Sequence, residues 1–228
     1  MTRAALLAEL RKVIDDESTR PKWEDPILLA YMAEGQDVFC EETGFFSDVS
    51  TYTLTTTAGL AIYDISDRII EVKSIWWGTN RLGHIQEEDK TNTERRSEVF
   101  DVSGSYPYWW QADQETGLIT IYPTPTESDL VFQLRVWRYP LFALDSDDVD
   151  GEGTPAEPEL HPTLQRACVE YAAFKALEFH DTEMSDRKSS ADHLDSFNWY
   201  VSRGRRALRR RQSNETAIKL SPAYAPRG

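Results

Sequence analysis

The apolar residues of this 228-residue chain change their spacing twice, from helical to alternating and back to helical, and few folds accommodate that order. Leu6, Leu7, Leu10, Val13 and Ile14 fall on one helical face, with Arg3, Glu9, Arg11 and Lys12 on the other. After the breaker "STRPKW", Asp25 is expected to cap a second helix with Pro26 at its first position, followed by Ile27, Leu28, Tyr31, Met32, Val38 and Phe39. Gly35 weakens the middle of that helix and Gly44 ends it. From Ser50 the residues suit strands: "STYTLTT", "GLAIYDI" and "RIIEVKSIWW", then "GLITIYP" and "DLVFQLRVWRYP". In the last of these Leu130, Phe132, Leu134 and Val136 share one face and Gln133 and Arg135 the other. Residues 81–105 between them are polar and poorly patterned, and read as a long loop. Helical spacing returns through Leu164, Ala167, Cys168, Tyr171, Ala172 and Leu177, and again from about Ser185 to Arg211 through Ala191, Leu194, Val201 and Leu208.

The order helices, strands, helices predicts an α+β protein: a helical layer built from both ends of the chain, with an antiparallel β domain inserted between them. The boundaries expected are 1–45 for the N-terminal helices, 46–141 for the β domain, 142–160 for an acidic Gly/Pro linker (most of "DSDDVDGEGTPAEPELHP"), 161–212 for the C-terminal helices packing on 1–45, and 213–228 for an extended C-terminal arm.

A 40% hydrophobic composition fits a folded chain, and no run approaches the roughly 20 apolar residues of a membrane span, so no membrane partner is expected. The opening "MTRAALLAELRKVIDDE" carries acidic residues where a signal peptide has an apolar core, which reads as a chain intracellular in origin. Cys40 and Cys168 stand far apart with no CxxC pair, and read as two small buried hydrophobes. The formal net charge of −14 is uneven. From Arg203 onward seven Arg and one Lys against one Glu give +7, leaving −21 on residues 1–202. A body of that charge repels a phosphate backbone, so the basic segment requires a local explanation.

The common catalytic signatures GxSxG, HExxH, GxxxxGK[ST] and GxGxxG do not occur, and neither enzyme activity nor a cofactor is expected. His180 and His193 lie near Asp181, Glu183, Asp186 and Asp192, but no imidazole–carboxylate pair at helical spacing converges with a second, and solvated polar faces explain them better than a metal. "SDDVDGEGTPAE" partly matches a calcium loop, with Ser146, Asp148 and Asp150 at positions one, three and five, Gly151 at six and Glu157 at twelve. Ser at position one, Gly153 at eight and the intruding Pro155 depart from that pattern, and an acidic linker is the better reading. The tryptophan pairs at 76–77 and 109–110 would suit a carbohydrate platform, but neighbours in a strand face opposite ways. One of each pair is better assigned to the β core and the other to a loop or neighbouring subunit.

The stretch "RGRRALRRRQ" packs six arginines into residues 203–211. A rotation of about 100° per residue from Val201 keeps Leu208 beside it on the buried face and gathers Arg203, Arg206 and Arg210 opposite. No aromatic is read as interleaved among them, so the nucleic-acid signal is weak, and arginine equally suits bidentate pairing with carboxylates of a protein partner. Behind them Ile218, Leu220 and Tyr224 fall at even spacing around Pro222, suiting an extended arm laid on another surface.

The segments "LLAELRKVIDDE", "WEDPILLAYMAEGQDVFCEETG", "YTLTTTAGLAIYDISDRIIEVKSIWW", "LRVWRYPLFALDSD" and "PELHPTLQRACVEYAAFKALEFHD" together resemble the adaptor, or head-to-tail connector, proteins of tailed bacteriophages, especially short-tailed ones. The sequence departs from that family where "SDRII" follows "YDI" in place of an expected proline. The resemblance implies a non-enzymatic virion structural protein at the head-to-tail interface, made in the host cytoplasm. It implies a homo-oligomeric ring, a dodecamer, beneath the portal protein, joined to a downstream tail or nozzle protein, with DNA passing through the channel without specific binding. On that reading Arg203, Arg206, Arg210, Ile218, Leu220 and Tyr224 dock on the portal or a neighbouring adaptor subunit. Two rivals remain at this point: a nucleic-acid-binding protein using the Arg segment, and a glycan-active tail enzyme using paired carboxylates and tryptophans.

Overall fold

The computed structural model describes residues 1–85, 106–113, 116–141, 144, 158–178 and 187–219, the backbone alone at 187 and 211–219. The acidic segment 145–157, His180 and its acidic neighbours, and Leu220 and Tyr224 lie outside the described residues. Two compact units emerge, one from Met1–Phe45 with Pro140–Gly228, the other from Phe46–Tyr139.

Among its described residues the first unit is helical: α1 (Arg3–Val13), α2 (Asp25–Thr43), α3 (Arg166–Glu178) and α4 (Arg187–Lys219). Thr2 caps α1, its hydroxyl accepting from the Ala5 amide at 3.2 Å. The "STRPKW" turn is organised by Asp16, 3% exposed, which accepts from the Lys22 amide (2.7 Å), the Trp23 amide (3.2 Å) and Arg11 (2.8 Å). Asp25 is not the cap of α2. Glu24, with extended backbone, holds that position without a side-chain bond, and the Asp25 carboxylate inside the first turn pairs with Arg11. Gly44, with φ of 61°, ends α2 in the left-handed conformation.

The third helix is the centre of this unit. Ala167, Cys168, Val169, Tyr171, Ala172, Ala173 and Ala176 are all buried, as expected of a helix covered on several sides. Small residues set close crossings. A Cβ on Gly35 of α2 would stand 2.8 Å from the Tyr171 Cβ, so the glycine that weakens α2 locally is what lets it approach α3. Tyr171 and Phe197 meet edge to face at 5.1 Å, tying α3 to α4, and the Tyr171 hydroxyl donates to Glu34 at 2.8 Å. Both cysteines are buried, and burial pushes the Cys168 thiol up to about 12, leaving it an inert apolar filler. Leu144 and Leu160, inside the stretch read as linker, are buried too, since apolar residues there join the helical core.

The second unit holds β1 (Ser47–Asp48), β2 (Thr53–Thr55), β3 (Ile62–Asp64), β4 (Ile69–Trp77), β5 (Asn80–Arg81), β6 (Gly83–His84), β7 (Trp109–Asp113), β8 (Leu118–Tyr122) and β9 (Val131–Arg138). One sheet runs β1-β9-β4-β5 with β2 also on β9; the other runs β3-β8-β7-β6. Phe132, Leu134 and Val136 of β9 point into a core with Val72, Ile75, Trp110, Ile119 and Ile121. The pairing is not wholly antiparallel: β6 lies parallel to β7, Gly83 opposite Trp109. The chain between them, residues 85–108, is long enough for the crossover that a parallel return requires. Leu82, at the start of the stretch read as loop, is buried in this core, and Ile85 is buried too, its amide donating to the Trp110 carbonyl at 2.9 Å.

Candidate docking surface

Helix α4 presents different residues to its different surroundings. Phe197, Val201 and Gly204 are buried against the rest of the helical unit. A Cβ on Gly204 would stand 2.6 Å from Phe39 Cζ and 3.1 Å from Thr43 Cγ2, so α4 presses directly on α2 there. Arg205 reinforces the contact, donating to the Glu42 carbonyl at 2.7 Å and ion-pairing with its carboxylate. Further back, His193 Nδ1 meets Glu170 Oε2 at 2.7 Å, while Arg166 donates to the other oxygen at 3.0 Å and reaches Glu9 at 3.5 Å. The hydrogen bond to Glu170 raises the Arg166 guanidinium further above its ordinary value. His193 is thus engaged as a structural partner of a buried carboxylate, and the described residues contain no cluster of His, Cys, Asp and Glu suited to a metal.

The exposed side of the same helix holds Arg203, Arg206 and Arg210, and all three line one groove of about 420 Å3 with Trp199, Ala207, Thr163 and Leu164. The turn before α3 forms the opposite wall. There His161 Nδ1 accepts from the Thr163 amide (3.3 Å) and bonds its hydroxyl (2.9 Å), while buried Gln165 donates to the Leu160 carbonyl at 2.9 Å. Arg206 Nε donates to the Ser202 carbonyl one turn back at 3.2 Å, and the Arg203 guanidinium lies 5.4 Å from the centre of the Trp199 ring. Among the described residues none of the three pairs with a carboxylate, whereas Arg205 does. The groove is therefore a row of cations along one wall with an aromatic face and an apolar floor.

Trp199 was not among the expected site residues, and it corrects the reading of an arginine stripe without aromatics. It is 51% exposed and stands four residues before Arg203, so the helical register 199, 203, 206, 210 contained it. The extended arm starting at 213 is corrected as well. Backbone 213–219 continues α4, since no Gly or Pro intervenes before Pro222, and Ile218 lies on that helix.

The tryptophan pairs separate as opposite strand faces require. Trp110 is 2% exposed in the β core, whereas Trp109 is half-buried. Trp77 stacks on Tyr106 at 4.7 Å, and Trp76 donates to Ser74 at 2.9 Å.

The described residues thus form an α+β chain with a cationic, aromatic-walled groove on the exposed side of α4. The chain belongs to the SU10 adaptor protein family, whose family model matches residues 1–223. The chain is thus a phage adaptor, a structural component of the virion. No curated protein matches the chain. No helix among the described residues is long and apolar enough to cross a membrane.

Proposed function

We propose that the protein forms a ring, a dodecamer, that joins the portal to the downstream tail or nozzle protein and continues the DNA channel, with Arg203, Arg206 and Arg210 as its docking cations. The observation that supports this most is the groove itself: three arginines in line on one helix, open to solvent and without carboxylate partners among the described residues. Guanidinium groups so placed match carboxylates of a protein partner, and the half-exposed Trp199 offers apolar area to desolvate the contact. Ile218, Leu220 and Tyr224 add apolar contacts from the end of the chain. The −21 carried by residues 1–202 keeps passing DNA from adhering.

Replacing Arg203, Arg206 and Arg210 together with Ala tests the proposal through the mass of the particle formed with the portal protein. Each carboxylate left unpaired in a buried interface costs about 2–5 kcal/mol, so attachment is expected to be nearly abolished, with any affinity for free DNA unchanged. Trp199 beside Arg203 also favours a second reading, in which bases stack on the indole and phosphates meet the arginines. A triple variant that assembles normally while DNA binding collapses would establish that second reading in place of the first.

A further inference from the structure

We infer that the groove on α4 is occupied by the acidic segment 145–157 of a second copy of this chain. The inference rests on the docking reading above and names the partner it leaves open.

Charge complementarity carries it. Arg203, Arg206 and Arg210 span about 10 Å along the helix at about 1.5 Å per residue, and they require an occupant with several carboxylates over that length. Residues 145–157 hold Asp145, Asp147, Asp148, Asp150, Glu152 and Glu157, and no Lys or Arg occurs anywhere from 139 to 165. At about 3.3 Å per residue, three or four residues of extended chain cover the cation row. Val149, between two aspartates, supplies an apolar side chain for Ala207 and the exposed Trp199 ring. Helix α4 already shows the preference on a smaller scale, since Arg205 is taken by Glu42.

Each copy carries one groove and one acidic segment, which are different surfaces. A contact between them is heterologous, and heterologous contacts between identical chains close into rings when the rotation between neighbours permits. A net charge of −14 opposes association of free chains, so the contact forms when copies are held side by side.

The test has two arms. In the first, a fluorescent peptide of residues 144–158 is titrated at low salt onto the full-length chain carrying D145N, D147N, D148N, D150N, E152Q and E157Q. Binding is expected, with a loss of at least tenfold when Arg203, Arg206 and Arg210 are also changed to Ala, and the same loss for a peptide with its carboxylates amidated. Absence of binding, or binding indifferent to the arginines, overturns the inference. In the second, rings are assembled on the portal from equal amounts of 15N-labelled and unlabelled chains carrying a photo-crosslinking residue in place of Ala207. Cross-links from 207 to 145–157 that join labelled to unlabelled peptides support a second copy. Cross-links only within one isotope place the segment in its own groove and overturn the inference. If 207 never reaches 145–157 but the arginine triple variant still fails to attach, the occupant is wrong and the docking reading stands. If neither the arginines nor the acidic residues matter to attachment, both fall.

Discussion

Asp48 shows how a single carboxylate can fasten the edge of a sheet. Burial by itself would raise its pKa, but amide hydrogen bonds from Thr51 and Ser50, the Thr51 hydroxyl and Arg138 together outweigh it and hold the group at about 2, against an ordinary 3.8. A carboxyl whose pKa is lower folded than unfolded contributes its full stability above about pH 4 and loses it as pH falls toward 2. With the Asp48 side chain 11% exposed, the shift corresponds to a contribution on the order of 2 kcal/mol at neutral pH. Asp48→Asn is therefore expected to lower urea resistance of the β unit at pH 7, with the gap to the unaltered protein narrowing from pH 4 to pH 2. A gap constant across that range would show that the charge is not what matters. Half of this was readable from the sequence: an Asp with Ser and Thr two and three positions on, as in Asp48-Val49-Ser50-Thr51, is a turn-forming pattern. Its partner Arg138, 90 positions away, was not, because only strand pairing brings β9 beside β1.

Helix α4 was predicted from its apolar spacing, and rotation about its axis put Arg203, Arg206 and Arg210 together, as they stand. Rotation alone could not separate Arg205, because the pairing with Glu42 depends on where α2 passes. Nor could it show why a glycine sits in the middle of the helix. Helix propensity predicts that Gly204→Ala stabilises by about 0.5–1 kcal/mol. Packing predicts the opposite, because the new Cβ would lie 2.6 Å from Phe39 Cζ, and Phe39 is fully buried with nowhere to swing. Overpacking of this kind costs about 1–3 kcal/mol and outweighs the propensity gain. The expected result is a lower unfolding midpoint for Gly204→Ala, partly restored by adding Phe39→Leu, which opens space at the same contact. A higher midpoint for the single variant would mean that α4 and α2 do not press together as closely as the structure shows.

At the level of the whole chain, the change of period at either end of the strands was enough to predict an α+β protein. The parallel β6–β7 pair was beyond reach, since two-residue strands carry no periodicity and their alignment depends on the path of the intervening chain. The division into two units has a consequence for how they fold. The Arg138 amide donates to the Phe46 carbonyl at 3.1 Å, so the β unit begins and ends at adjacent points and a short linker can replace it. What remains, Met1–Phe45 and Pro140–Gly228, is 134 residues, within the size range of an independent domain. Its core residues Leu6, Leu10, Leu28, Met32, Phe39, Cys168, Ala172 and Phe197 all belong to it. Joining Phe45 to Pro140 through a few Gly and Ser residues is thus expected to give a product with a helical circular dichroism spectrum and a single cooperative unfolding transition. Its fluorescence would come from Trp23 and Trp199 alone, so quenching by iodide reports whether the half-exposed Trp199 keeps its place. An unfolded spectrum would show that the helices depend on the β unit for their packing, and that the two units fold as one.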